Sequence, residues 1–202
     1  MKIGIFGHSA AKYRNHKNGG HYSQLVNAHF TDYTINWYGF MCSSLERIVY
    51  QVNKHKNFDL YVIFHTDPFF LYFPGWSRDF PTHEVSDALS SDKGWERFLT
   101  KIKNYPDVAA TKDLRDKLKF FKDVIYNERI NSLRYHSNLF LLKSLLANKK
   151  TIHIKHSGHE AKIFDKHYFS TKIAGLLKHQ QPSDNEIFSK ALISEIEKTL
   201  KS

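Results

Sequence analysis

The chain begins MKIGIFGHSAAKY, an apolar run that leads straight into Gly7, His8 and Ser9. A serine at the tip of a first strand has two chemical uses. Its hydroxyl can attack an acyl carbonyl when a base takes its proton. It can also cap the free N–H groups of a helix that starts at Ser9 and Ala10. The same N–H groups can hold an oxyanion, so the serine stays open between nucleophile and cap. Gly7 permits the unusual backbone angle of such a turn. One glycine does not make a G-x-G-x-x-G or P-loop fingerprint, which argues against phosphate binding. His8 adjoins the serine, but neighbouring side chains on a turn diverge, and it reads as an exposed loop histidine. Farther along, HIKHSGH spaces His153, His156 and His159 three apart. No cysteine assists them and a strand turns alternate residues to opposite faces, so no metal and no cofactor is expected.

A working Ser9 needs a sheet whose strand ends gather loops together. Four stretches read as buried strands: about 2–6, 33–37, 59–65 and 151–155, with DLYVIFH the clearest. Helical patterns separate them. HYSQLVNAHF is a short helix, and Leu45, Ile48, Val49 and Val52 follow Ser43 or Ser44 at helical spacing. Strand–helix alternation implies right-handed crossovers and one parallel sheet. The expected architecture is an α/β, flavodoxin-like three-layer sandwich with strand order 2-1-3-4. Its ligands would bind beyond the strand carboxyl ends, where Ser9 lies.

Residues 66–83 break the pattern, because DPFFLYFPGWSRDFP carries three prolines and six aromatics. This stretch is an aromatic loop, and most of its rings are expected to pack on a helical insert at about 84–149. Within that insert, Leu114, Leu118, Phe121, Val124 and Ile125 share a face. In the last helix, Ile187, Phe188, Ala191, Leu192, Ile196 and Leu200 lie mostly on one side. No linker divides the chain, so residues 1–202 read as one domain.

Four segments, in order and spacing, resemble the SGNH (GDSL-type) hydrolases. IFGHSAA resembles their Gly-Asp-Ser opening, with His8 in place of the aspartate and Ser9 retained. NWYGFMCSSLERIVYQ resembles the second block, where Gly39 matches the first glycine and Cys42 stands at the second. DLYVIFHTDP lies where the third block follows strand three, with Thr66 and Asp67 but no asparagine. QPSDNEIFSKALISEI resembles the last block. Aligning Pro182 puts Gln181 where the catalytic histidine belongs and Lys178 where the aspartate belongs. His179 is then two residues early.

The resemblance implies acyl transfer, with Ser9 as nucleophile and His179 as base. Gly39, Cys42 and Thr66 would be oxyanion donors, and His8, Asp67 and Gln181 other pocket residues. It implies a small-molecule or glycan ester as substrate. The alternative is a catalytically inactive SGNH-like domain that binds an anionic partner. A flavodoxin-like nucleotide binder is a third reading, and it lacks a phosphate loop.

Composition sets outer limits. The formal net charge of +10 makes an anionic partner possible, although the lysines are spread along the chain. The single Cys42 excludes an intramolecular disulfide framework and fits a reducing cytoplasm. No apolar stretch reaches the roughly 20 residues of a membrane span.

Overall fold

The computed structural model describes residues 1–14, 20–40, 43–66, 70–73, 75–125, 128–154, 168–169 and 182–202. Four parallel strands form the centre: β1 (Lys2–Gly7), β2 (Thr34–Gly39), β3 (Leu60–Phe64) and, renumbered below as β6, Lys150–Ile154. Their order is 2-1-3-4, as the alternation of strands and helices predicts. Between β1 and β2 runs α1 (Tyr22–His29), and between β2 and β3 runs α2 (Leu45–Lys54). A two-residue hairpin, β4 (Phe70–Leu71) with β5 (Phe80–Pro81), punctuates the aromatic loop. The insert then supplies α3 (Thr82–Ser90), α4 (Asp92–Ile102), α5 (Pro106–Ala109), α6 (Leu114–Phe120), a π-helical turn (Phe121–Ile125) and α7 (Glu128–Leu145). After β6 (Lys150–Ile154) comes β7 (Tyr168–Phe169), which extends the sheet in parallel and has no signature in the sequence. The chain closes with α8 (Pro182–Lys201).

β1, β3 and β6 are buried on both faces while the edge strand β2 is half-buried, and the side chains alternate between two cores. Leu60, Val62 and Phe64 face α1 and α8, together with Ile3, Ile5, Val26 and Leu192. Tyr61 and Ile63 face α2 and α7, together with Phe6, Ile48, Leu139 and Leu142. This is the three-layer sandwich. Burying each such side chain contributes about 1.5–3 kcal/mol. A third core sits in the insert, where Phe80, Val85, Phe98, Leu114 and Leu118 close on one another. Phe73 and Trp76 of the aromatic loop pack on it, so those rings serve the insert, as expected. Ile187 departs from its expected face and is exposed, while Phe188, Leu192 and Ile196 are fully buried.

Candidate active site

The end of β1 is shaped by two glycines. Gly7 has φ 151°, in the region closed to most side chains, and a Cβ there would lie 2.5 Å from Phe64 Cβ. Gly39, at the end of β2, is paired with Gly7, and a Cβ on it would overlap the backbone of Ala11 and Lys12. Both positions must be bare for the Ser9–Ala11 turn to lie directly on the sheet.

That turn corrects two expectations. It is a single 3-10 turn rather than the start of a helix, and Ser9 is not its cap. His8 is the cap: its Nδ1 accepts the Ala10 N–H at 3.2 Å. His8 is also 8% exposed rather than an open loop residue, and its ring meets Phe64 edge-on. A donor placed on Nδ1 would clash with the Ala10 N–H, so the cap selects the tautomer with Nδ1 bare. Among the described residues, neither the Ser9 hydroxyl nor the Ser9 N–H has a hydrogen-bond partner, and Ser9 is half-buried.

Thr66 lies at the same sheet edge. It stands two residues past Phe64, which is paired with Gly7, so it and Ser9 flank one register line. Its carbonyl accepts from the Tyr135 hydroxyl of α7 at 3.3 Å. Cys42, Asp67, His179 and Gln181 lie outside the described residues, as do His156 and His159. The start of α8 does approach this edge. Phe188 packs on Phe64, the last residue of β3, and on Tyr22, with centroid distances of 6.0 and 4.8 Å. Pro182 is six residues earlier, so at the helical rise it lies ~9 Å farther along the helix axis, beyond the sheet edge.

Three polar arrangements near this edge escape a reading along the chain. His65 Nε2 and His153 Nδ1 are 2.9 Å apart, both buried, on the ends of β3 and β6. Burial lowers His65 to about 4, so it is neutral at pH 7. The signal for this pair was the histidine ending DLYVIFH, facing one inside KTIHIKH on the next strand. His153 is therefore committed to a neighbouring strand. Among the described residues, no group of three or more potential ligands could hold a metal.

The second arrangement is Arg47 on Asp79. Arg47 donates from Nε and a terminal nitrogen to the two carboxylate oxygens at 3.0 and 2.6 Å, and to the Trp76 carbonyl at 2.7 Å. Asp79 also accepts the Ser44 N–H at 2.7 Å. The carboxylate thus sits at the start of α2 and ties the aromatic loop to it. The third is His21 with Ser23, 2.7 Å apart. It looks like a nucleophile–base dyad, but Ser23 is fully buried and accepts the Arg14 N–H at 3.1 Å. Its role is to close the N-terminus of α1.

Two cavities lie away from Ser9. One of about 470 Å³ is walled by Phe73, Trp76, Phe120 and Phe121. The other, of about 380 Å³, is at the opposite sheet edge near Met1, Tyr33 and Glu197. Among the described residues, no helix is long and apolar enough to cross a membrane.

No protein-family model matches the chain. No curated protein matches it either. Among solved structures, it is similar to LAE5, an alpha/beta hydrolase enzyme from the metagenome of Lake Arreo, Spain. That match has 11% identity and a TM-score of 0.36, over 96% of this chain and 94% of that one.

Proposed function

We propose that the chain is a serine hydrolase of SGNH type that cleaves an ester or other acyl bond, with Ser9 as nucleophile. One observation carries this reading: His8 caps the turn, which leaves both the hydroxyl and the N–H of Ser9 uncommitted at the sheet edge. A nucleophile and an oxyanion donor on one residue is the pairing that acyl transfer uses.

In the proposed reaction Ser9 Oγ attacks the acyl carbon while its proton passes to His179. The Ser9 N–H holds the oxyanion, with Gly39, Cys42 and Thr66 as further donors. Collapse expels the alcohol, which takes the proton from His179. Water then attacks the acyl-enzyme by the same route and releases the acid. Asp67 orients His179, and His8 and Gln181 line the pocket. The approach of α8 to the sheet edge supports this assignment, since residue 179 lies just before that helix. Residues 1–202 act as one domain in this reading, with the aromatic loop and insert beside the site.

The second reading is an inactive SGNH-like domain that binds an anionic partner. It draws on the Asp79 carboxylate, which already takes the Ser44 N–H within the second block, and on the net charge of +10. A fluorophosphonate probe and short activated esters separate the two. The wild type is expected to label and to turn over. Ser9→Ala should lose both, and His179→Ala should slow turnover by about 10²–10⁴. Absent labelling, with the three proteins turning over alike, overturns the hydrolase reading in favour of the binding domain.

A further inference from the structure

The insert holds an aromatic cavity that the proposed reaction does not use. It measures about 470 Å³, within the range of small-molecule sites. Phe73, Trp76, Phe120 and Phe121 wall it. The Trp76 N–H donates to the Phe73 carbonyl at 3.2 Å, and this turn stacks the two rings at a centroid distance of 4.4 Å. Phe121 leans on Phe73 at 4.9 Å, tilted by 46°. The wall is therefore curved rather than a flat slot. Phe73, Trp76 and Phe121 rest on the third core, whereas Phe120 is 58% exposed at the rim. A large exposed ring that continues an apolar wall marks a binding surface.

The loop that carries Trp76 is fixed by the fold itself. Arg47 donates to the Trp76 carbonyl at 2.7 Å, and Ser77 donates from its N–H and its hydroxyl to the Asp107 carboxylate at 2.5 and 2.7 Å. Rings held in this way lose little freedom when a ligand binds. Polar groups complete the lining. Asp116 and Lys117 are adjacent on α6, and Thr111 precedes that helix. Among the described residues, neither the Asp116 nor the Lys117 side chain has an ion pair or a hydrogen bond. The Thr111 hydroxyl donates to the Asp107 carbonyl at 3.0 Å, which leaves its oxygen to accept. The cavity thus offers an apolar wall, two acceptors and a donor, with one charge of each sign.

We propose that this cavity binds a neutral sugar ring. The C–H face of a pyranose packs on the aromatic wall, while its hydroxyls donate to Asp116 and Thr111 and accept from Lys117. Other ligand classes match less well. A fatty acid or an amine gains one charge and meets the other with the wrong sign. An amino-acid zwitterion would pair both charges, but ion pairs open to water add little. A planar base needs a flat platform, and here the rings are tilted, with Trp76 already stacked on Phe73. The site makes no use of Ser9 and survives the failure of the hydrolase reading.

The test is saturation-transfer NMR on the full chain with the methyl glycosides of glucose, galactose, mannose and N-acetylglucosamine. At least one is expected to bind with a Kd on the order of 1 mM, the reach of so small a ligand. Its ring C–H protons should take up the most saturation, and its binding should not change with salt, because it is neutral. Phe120→Ser should weaken that binding about three- to tenfold, the scale of one lost ring contact. Asp116→Ala/Lys117→Ala should weaken it about tenfold, the scale of a lost hydrogen bond to a charged group. All three side chains are exposed, so an unchanged urea midpoint confirms that the fold is intact. Ser9→Ala should bind as the wild type does. Octanoate, benzylamine, phenylalanine and adenosine should each bind more weakly than the glycoside. Absent binding of every glycoside, or full retention by both cavity variants, overturns the proposal. Equal or tighter binding of one of the other four compounds assigns the cavity to that class and overturns it too. Loss in Ser9→Ala with retention in Phe120→Ser would put the sugar at the sheet edge instead, which also overturns it.

Discussion

Acidification is the perturbation that isolates the contact between His65 and His153. The two rings lie 2.9 Å apart on adjacent strands, and burial lowers His65 from 6.5 to about 4. The protonated form is thus disfavoured in the folded chain. Between pH 6.5 and 4 the unfolded chain binds more protons at this site, so stability falls as pH falls through that window. The contribution is complete above about pH 6.5 and gone below about pH 4. That interval, at about 1.4 kcal/mol per pH unit, is worth about 3 kcal/mol. Against a total stability of about 5–15 kcal/mol, such a loss is easily measured. The assay is urea unfolding at steps from pH 7 to pH 4, on the wild type and His65→Gln. The glutamine amide reaches the Nε2 position and does not titrate. The histidines not in contact with His65 contribute alike in both proteins and cancel in the difference. The wild type should lose about 3 kcal/mol more than the variant across the window. Parallel stability curves would refute the reasoning and place the cost of acid elsewhere.

Two further perturbations test how the candidate site is built. Asp79→Ala removes a fully buried carboxylate and leaves the Arg47 guanidinium without its partner, which should cost about 3–5 kcal/mol in urea unfolding. Arg47→Met/Asp79→Leu should recover most of that loss, and a double variant as unstable as the single one would contradict the account. Gly39→Ala drives a methyl into the backbone of Ala11 and Lys12, so it should cost on the order of 2–4 kcal/mol, visible as a lower Tm. It should also displace the Ser9 turn, and an unchanged Tm would mean that the turn does not rest on β2.

The strands and helices were legible in the sequence for a local reason. KIGIF and DLYVIF are short, continuous apolar runs, which only a strand covered on both faces needs, and helical periodicity separates them. Alternation then constrained the order 2-1-3-4 through the handedness of crossovers. β7 was not legible, because two residues carry no periodicity and pair solely by lying beside β6. The chemistry of the edge divides in the same way. Serine and glycine at the tip of β1 were visible as types. Which residue caps the turn was a contest between adjacent side chains, and it was decided by how Gly7 and Gly39 let the loop rest on the sheet. His65 meets His153 across 88 residues, and Arg47 meets Asp79 across 32. No local pattern encodes such partners, since burial makes an unpaired polar group costly and only the packed fold determines which groups share the space. By itself, the sequence determined the four central strands, the helices between them and a serine at the tip of β1. Tertiary structure decided that His8, not Ser9, caps that edge, because the choice depends on contacts between strands far apart in the chain.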